Sequence, residues 1–174
     1  MRAKIAIIIT LGFLLNSNFS LSQSKFLINN EPFEFPGKWE TKGLIKKSGQ
    51  YHLYNKKKKL NLLVSVRNSS NFEFYNDTLN SNQLLEKWYQ WETNYWKTGQ
   101  EVEIKEIKHN IASNYIVWRL TLKNVSDYDG ELVSTILYFT RNRKLIGISL
   151  NDSSKKNQMT DNELLIFLEQ LYKP

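Results

Sequence analysis

Two histidines, 17 acidic side chains and no cysteine bound the chemistry open to this 174-residue chain. Without Cys there are no thiolate nucleophiles, disulfides or cysteine-based zinc sites. His52 and His109 are then the only imidazoles. A hydrolase would have to gather one of them with a carboxylate and a serine from distant parts of the chain. No Gly-x-Ser-x-Gly elbow, His-Glu-x-x-His, Walker loop or Gly-x-Gly-x-x-Gly signals such a site. His52 sits in an alternating run and His109 at the end of another, where structural or surface side chains are expected. Glu101, Glu103 and Glu106 suggest acid/base pairing, but they alternate with Val102, Ile104 and Ile107 and are balanced by Lys105 and Lys108. That pattern is the solvent face of a strand. Asp127 and Asp129 flank Tyr128 ahead of Gly130. A calcium loop needs further oxygen ligands at fixed offsets, and Glu131 follows too early to supply one, so this segment reads as a turn. No catalytic residue, no cofactor and no metal ligand is expected.

Binding is better represented. Trp88, Tyr89, Trp91, Tyr95 and Trp96 crowd one short segment. Such rings either pack into a core or anchor a partner. Core packing is the leading reading; because the rings span both stripes of the helix, Tyr89 or Trp96 is the part of the cluster that could stay exposed and bind. The formal charge is +7, with basic clusters at Lys46-Lys47 and Lys56-Lys57-Lys58-Lys59. The candidate interaction surface is therefore Tyr89, Trp96, Lys56, Lys57, Lys58 and Lys59. Aromatics interleaved with lysines bind single-stranded nucleic acid, but here the two groups lie on separate elements, and no nucleic acid is expected. Asp77-Thr78-Leu79 resembles the acceptor tripeptide for O-glycosylation in some Gram-negative bacteria and would place Thr78 in a loop.

Stepping outward from these residues, the periodicity names the elements. Leu44–Lys47 and Tyr51–Tyr54 predict two strands with Ser48-Gly49 as the turn. Leu60–Arg67 predicts a third, making the Lys56–Lys59 run a hairpin connection. Asn68 to Asn80 is loop-like, tacked down by Phe72, Phe74 and Tyr75. Asn80 and Gln83 form a capping box, Leu84, Trp88, Trp91 and Tyr95 make one helical face, and Gly99 suits the C′ position. This predicts a helix over Ser81–Thr98. The period then switches to two. Strands are predicted around Val102–Ile107, over Tyr115–Leu122 with Ile116, Trp118, Leu120 and Leu122 inward, over Leu132–Thr140 and over Lys144–Leu150. Short connections imply an antiparallel meander. A polar loop over Asn151–Asn157 precedes a last helix, which starts at Thr160 with Glu163 completing a second capping box and ends at Lys173-Pro174.

The N-terminus carries an address. Met1, Arg2 and Lys4 precede an apolar run of about 11 residues, Ile5–Leu15, and Ser20 and Ser22 fit the −3 and −1 positions of a signal-peptide cleavage site. The run is short of the about 20 residues that cross a bilayer, and the missing Cys excludes lipid attachment. The expected product is an exported, soluble protein of the periplasm or the extracellular space, without a permanent membrane anchor. Loss of Arg2 and Lys4 with the leader lowers the formal charge from +7 to +5. The expected organisation is 1–22 signal peptide, 23–36 a flexible N-terminal arm broken by Pro32 and Pro36, and 37–174 a single α+β domain.

The order strands, helix, antiparallel meander, terminal helix resembles the Mog1/PsbP-like superfamily over about residues 32–173. The residues that carry the resemblance are Gly37-Lys38-Trp39, Leu60–Val66, the Trp-rich Leu84–Trp96 helix, Tyr138-Phe139 with Leu145–Ser149, and Phe167–Tyr172. The resemblance implies a central antiparallel β-sheet with a Trp-rich helix and a C-terminal helix packed on it, an α/β/α sandwich. It also implies an accessory or protein-binding role without enzymatic activity, and it transfers no site residues. The leading expectation is an exported accessory or interaction protein whose partner is another exported or envelope protein. The alternatives are a module that holds a small apolar or envelope-derived ligand in a cavity lined by Trp88, Trp91 or Trp118, and a hydrolase with a dispersed site. Process and oligomeric state are not encoded in any motif.

Overall fold

A computed structural model describes residues 23–98, 101–110, 112–125, 130–152 and 160–172. The leader 1–22, Gly99, the Asp127–Asp129 part of the predicted turn, most of the 151–157 loop and the Lys173-Pro174 end lie outside the described residues.

Among the described residues, nine strands and two α-helices form an α+β sandwich, with one 3-10 turn at Ser69–Asn71. The strands are β1 (Gln23–Ile28), β2 (Glu31–Pro36), β3 (Glu40–Ile45), β4 (Gln50–Asn55), β5 (Leu60–Asn68), β6 (Val102–Asn110), β7 (Tyr115–Val125), β8 (Gly130–Arg141) and β9 (Lys144–Asp152). The helices are α1 (Ser81–Lys97) and α2 (Asp161–Leu171). β1 and β2 pair as a separate hairpin, and the other seven strands form an antiparallel sheet in the order β3-β4-β5-β9-β8-β7-β6. The predicted meander is the β6-to-β9 half. β3 begins four residues ahead of its predicted start and bulges between Thr41 and Gly43, where Gly43 takes φ +101°, a conformation cheap only for glycine.

Each face of the sheet has its own core. On one face, Leu62, Val64, Val66, Val117, Leu137, Phe139, Ile146 and Ile148 meet the β1–β2 hairpin and α2. On the other, Ile116, Trp118, Leu120, Ile136, Tyr138 and Leu145 meet α1 and the Phe72–Leu79 loop. The period of two explains the division, since alternate residues of β7, β8 and β9 point to opposite layers. Of the four residues predicted inward, Ile116, Trp118 and Leu120 are buried, on the α1 face, and Leu122 is half-buried there; Tyr115 and Val117 are buried as well, on the opposite face.

The 23–36 segment, expected as an arm, is the β1–β2 hairpin. Asn29 and Asn30 both adopt positive φ, the signature of a two-residue I′ turn. Pro32 is exposed, on a two-stranded ribbon where its missing N–H costs no ladder bond. Ile28, Phe33 and Phe35 are buried, and Glu31 pairs with Lys144 of β9 at 2.6 Å. Trp39 docks here as its position suggested: its backbone N–H donates to Ser24 Oγ, its indole donates to the Pro36 carbonyl, and its ring contacts Phe35 and Phe167.

Both capping boxes form. The Asn80 side chain accepts from Gln83 N–H while Gln83 answers the Asn80 N–H, and Thr160 and Glu163 do the same for α2. α1 ends at Lys97, with Thr98 as its C-cap. No helix among the described residues is long and apolar enough to cross a membrane.

Candidate functional site

α1 rests on β6, β7 and β8. Beyond its edge, the same face of β5 and β9 carries the short side chains of Ser65, Ser149 and Asn151 beside Leu63. Where the helix overhangs these short side chains, a slot of about 170 Å³ opens between α1 and the sheet. Trp88, Glu92 and Trp96 form its roof, and Ser65, Tyr138, Ser149, Ser134 and Asn151 form its floor. Leu120, Leu122, Leu132 and Ile136 make its walls apolar, while Gln50 and Arg67 stand on the opposite side. A comparably sized cavity of about 150 Å³ admits one benzene ring.

Two features let the slot exist. Trp88 stacks on Tyr138 with ring centroids 3.8 Å apart, and its indole runs across Gly147. A Cβ on Gly147 would meet Ser65 Oγ at 2.7 Å, Tyr138 at 3.0 Å and Trp88 at 3.3 Å, so only glycine lets the helix sit this low. Two turns later, Trp96 Nε1–H donates to Glu92 Oε1 at 3.2 Å, holding the carboxyl over the sheet.

The electrostatics centre on Glu92. Burial pushes its carboxyl above the ordinary carboxylate range, opposed by the positive field of Arg67 and by the N–H and O–H groups of Trp96, Trp88 and Tyr138. Burial and the neighbouring Glu92 push the Tyr138 phenol well above its ordinary value. The Trp88 indole N–H approaches Glu92 closely enough to favour its charge but makes no hydrogen bond of good geometry, and it remains a buried donor without a partner. Ser134 Oγ donates to Asn151 Oδ1, and Arg67 makes one long contact with the Ser48 carbonyl.

Arg67 also lines an open groove of about 1130 Å³ outside the slot. Trp91 and Phe72 form one wall of this groove, and Asn29, Asn68 and Asn71 contribute amides. Tyr95 stacks on Trp91 at 6.0 Å and is 61% exposed.

The residues singled out from sequence are dispersed. Trp96 is half-buried in the slot roof, and Tyr89 is half-buried with its ring edge-on to Trp118. Lys56, Lys57, Lys58 and Lys59 form an exposed turn that leans toward the other face, with Lys58 Nζ 5.1 Å above the Phe167 ring of α2. The two halves of the candidate surface therefore lie on opposite sides of the sheet. Trp88 lines the slot and Trp91 the groove, while Trp118 lies fully buried beside the slot. Neither histidine lines either space: His52 Nε2 contacts Asn61 Oδ1 at 2.8 Å, and His109 Nε2 contacts Glu86 at 2.7 Å. Thr78 is exposed, in a loop that Arg143 holds through the carbonyls of Asn76, Asp77 and Leu79.

Sequence reasoning passed over Glu92, Arg67, Tyr138, Ser149 and Asn151. A signal existed for the first: Glu92 interrupts the otherwise apolar stripe Leu85, Tyr89, Trp96. No family model matches this chain, and no curated protein sequence matches it.

Proposed function

We propose that this chain is an exported, non-enzymatic binding protein that holds a small ligand in the slot between α1 and the sheet. The supporting observation is the slot itself: a mostly apolar space into whose lining a buried, unpartnered Trp88 N–H and a half-buried Glu92 are built. A large apolar face normally closes on its sheet. Here the floor is built largely of the serines 65, 134 and 149, whose short side chains leave room. The Mog1/PsbP-like resemblance supports a binding role over a catalytic one.

The test uses the mature chain and its five tryptophans. Single-ring fragments, neutral, acidic and basic, are titrated while the indole N–H resonances are followed. The Trp88 and Trp96 signals are expected to move together and the Trp39 signal to stay. If no fragment of any charge moves them, the reading fails.

A second reading, a partner protein of the same exported compartment, is favoured by the exposed Tyr95 against Trp91 at the lip of the groove. It requires that cross-linking in the native envelope captures a stoichiometric partner and that Tyr95→Ala weakens the capture.

A further inference from the structure

We infer that the slot takes a carboxylate joined to a compact apolar body, the carboxylate on Arg67 and the body against Trp96 and the leucines. This rests on the slot being a ligand site. The lining is segregated. Leu120, Leu122 and Leu132 lie toward one end of the sheet, and Arg67, opposite Leu145 and six residues along β9 from the Asn151 that shares a rung with Leu120, lies toward the other, where the slot meets the groove. The apolar end has the size for about one ring.

The polar groups ask for acceptors. Arg67 is the only basic side chain among the described lining residues, and it makes a long, 3.5 Å approach to the Ser48 carbonyl. A guanidinium presents a planar fork of donors that matches a carboxylate in two parallel bonds. The Trp88 N–H is a second unused donor. Glu92 is the only acid in the lining, and its oxygens already receive the Trp96 N–H. An incoming cation would face Arg67 at the mouth. An incoming carboxylate is tolerated because burial favours the neutral form of Glu92.

The carboxylate has two possible sources, a free acid or the C-terminus of a chain lying in the groove, which shares Arg67 with the slot. Calorimetry and indole N–H shifts on the full mature chain separate them. The probes are 3-phenylpropanoate, 3-phenylpropanamide and 2-phenylethylamine, then the peptide Ala-Ala-Ala-Leu with a free or an amidated C-terminus. The acid is expected to bind more than about tenfold tighter than the amide or the amine. Arg67→Gln should erase that preference, and Arg67→Lys should retain part of it. Affinity for the acid should fall as the pH rises through the ionisation of Glu92, which is faced by Arg67 from β5 and Tyr138 from β8. Glu92→Gln should remove that fall. A free-terminus peptide that outbinds the phenyl acid supports a chain terminus, and the reverse supports a free acid. Equal binding of acid and amide, or tighter binding of the amine, overturns the inference while leaving the slot a binding site. Silence of all five probes at the Trp88 and Trp96 signals overturns the inference, and silence of the neutral fragments as well overturns the slot.

Discussion

Glu92 shows how one side chain can mark a candidate site and weaken a fold at once. Its environment raises the carboxyl pKa, so the folded state holds the proton more tightly than the unfolded chain does. The associated stability is therefore full at low pH and is lost as the pH rises through the raised folded value. Glu92→Gln, which keeps an acceptor for Trp96, should raise Tm at pH 7, and the gain should shrink toward pH 4. Melts across that range check the sign, since a gain of about 1 kcal/mol moves Tm by ~2–4 °C in a chain of this size. Gly147 is the complementary case, a residue that matters by lacking a side chain. Gly147→Ala should destabilise by about 1–3 kcal/mol, because Trp88 and Tyr138 must give way. It should also shift the Trp88 indole resonance, whereas a purely local effect would leave that signal in place. The sequence marked Glu92 only as an acid within an aromatic stripe, and it carried no mark of the role of Gly147. An acid within an aromatic stripe and a glycine within a strand become a site only when β9 is laid under α1.

At the scale of elements, caps and turns carry most of what local sequence encodes. The Asn80–Gln83 box predicts that Asn80→Ala costs about 1 kcal/mol in urea unfolding. The β1–β2 hairpin had its signal too, in Asn29-Asn30 between the alternating Phe26-Ile28 and Phe33-Phe35 pairs. The two prolines masked it, because the cost of proline depends on whether the strand has a neighbour on that side. The hairpin is tied to β9 by Glu31–Lys144. Lys144→Met should cost about 2 kcal/mol, below the ~3–5 of a fully enclosed pair because Lys144 keeps some solvent. α2 is tied down differently. Lys108 donates to Glu169, which also accepts from Tyr115, and hydrogen bonding to Glu169 raises the Lys108 pKa to about 12. Burial raises the Glu169 carboxyl, but the bonds from Lys108 and Tyr115 outweigh it, and the net value is lowered. The contribution of Glu169 is thus complete above the ordinary carboxylate range and lost as the pH falls through the lowered value. Hydrogen exchange should find α2 losing protection in acid before β5 and β9 do.

In the whole molecule, the decisive contact is the antiparallel seam between β5 and β9, residues 62–68 against 144–150. It joins the β3–β5 hairpins to the β6–β9 meander and makes one seven-stranded sheet of two local units. Ile148, on the seam and fully buried, should cost about 2–5 kcal/mol when replaced by Ala. If the seam makes the sheet one cooperative unit, tryptophan fluorescence and far-UV dichroism should still melt together. Separated transitions would show that the two halves fold alone. The amino-acid sequence by itself determined the α+β class, both helices with their caps, the order of the meander and the two-faced alternation of β9. These follow from periods of 3.6 and 2 and from side chains that bond within a few residues of themselves. Only the tertiary structure decided that the lysine turn and the aromatic helix lie on opposite faces, that the 23–36 segment adds buried side chains to the core, and that Arg67 and Glu92 line one slot over a floor rich in serine. Those facts depend on the β5–β9 register and on how low α1 sits over Gly147, and pairings between residues some 80 positions apart leave no periodic trace in the chain.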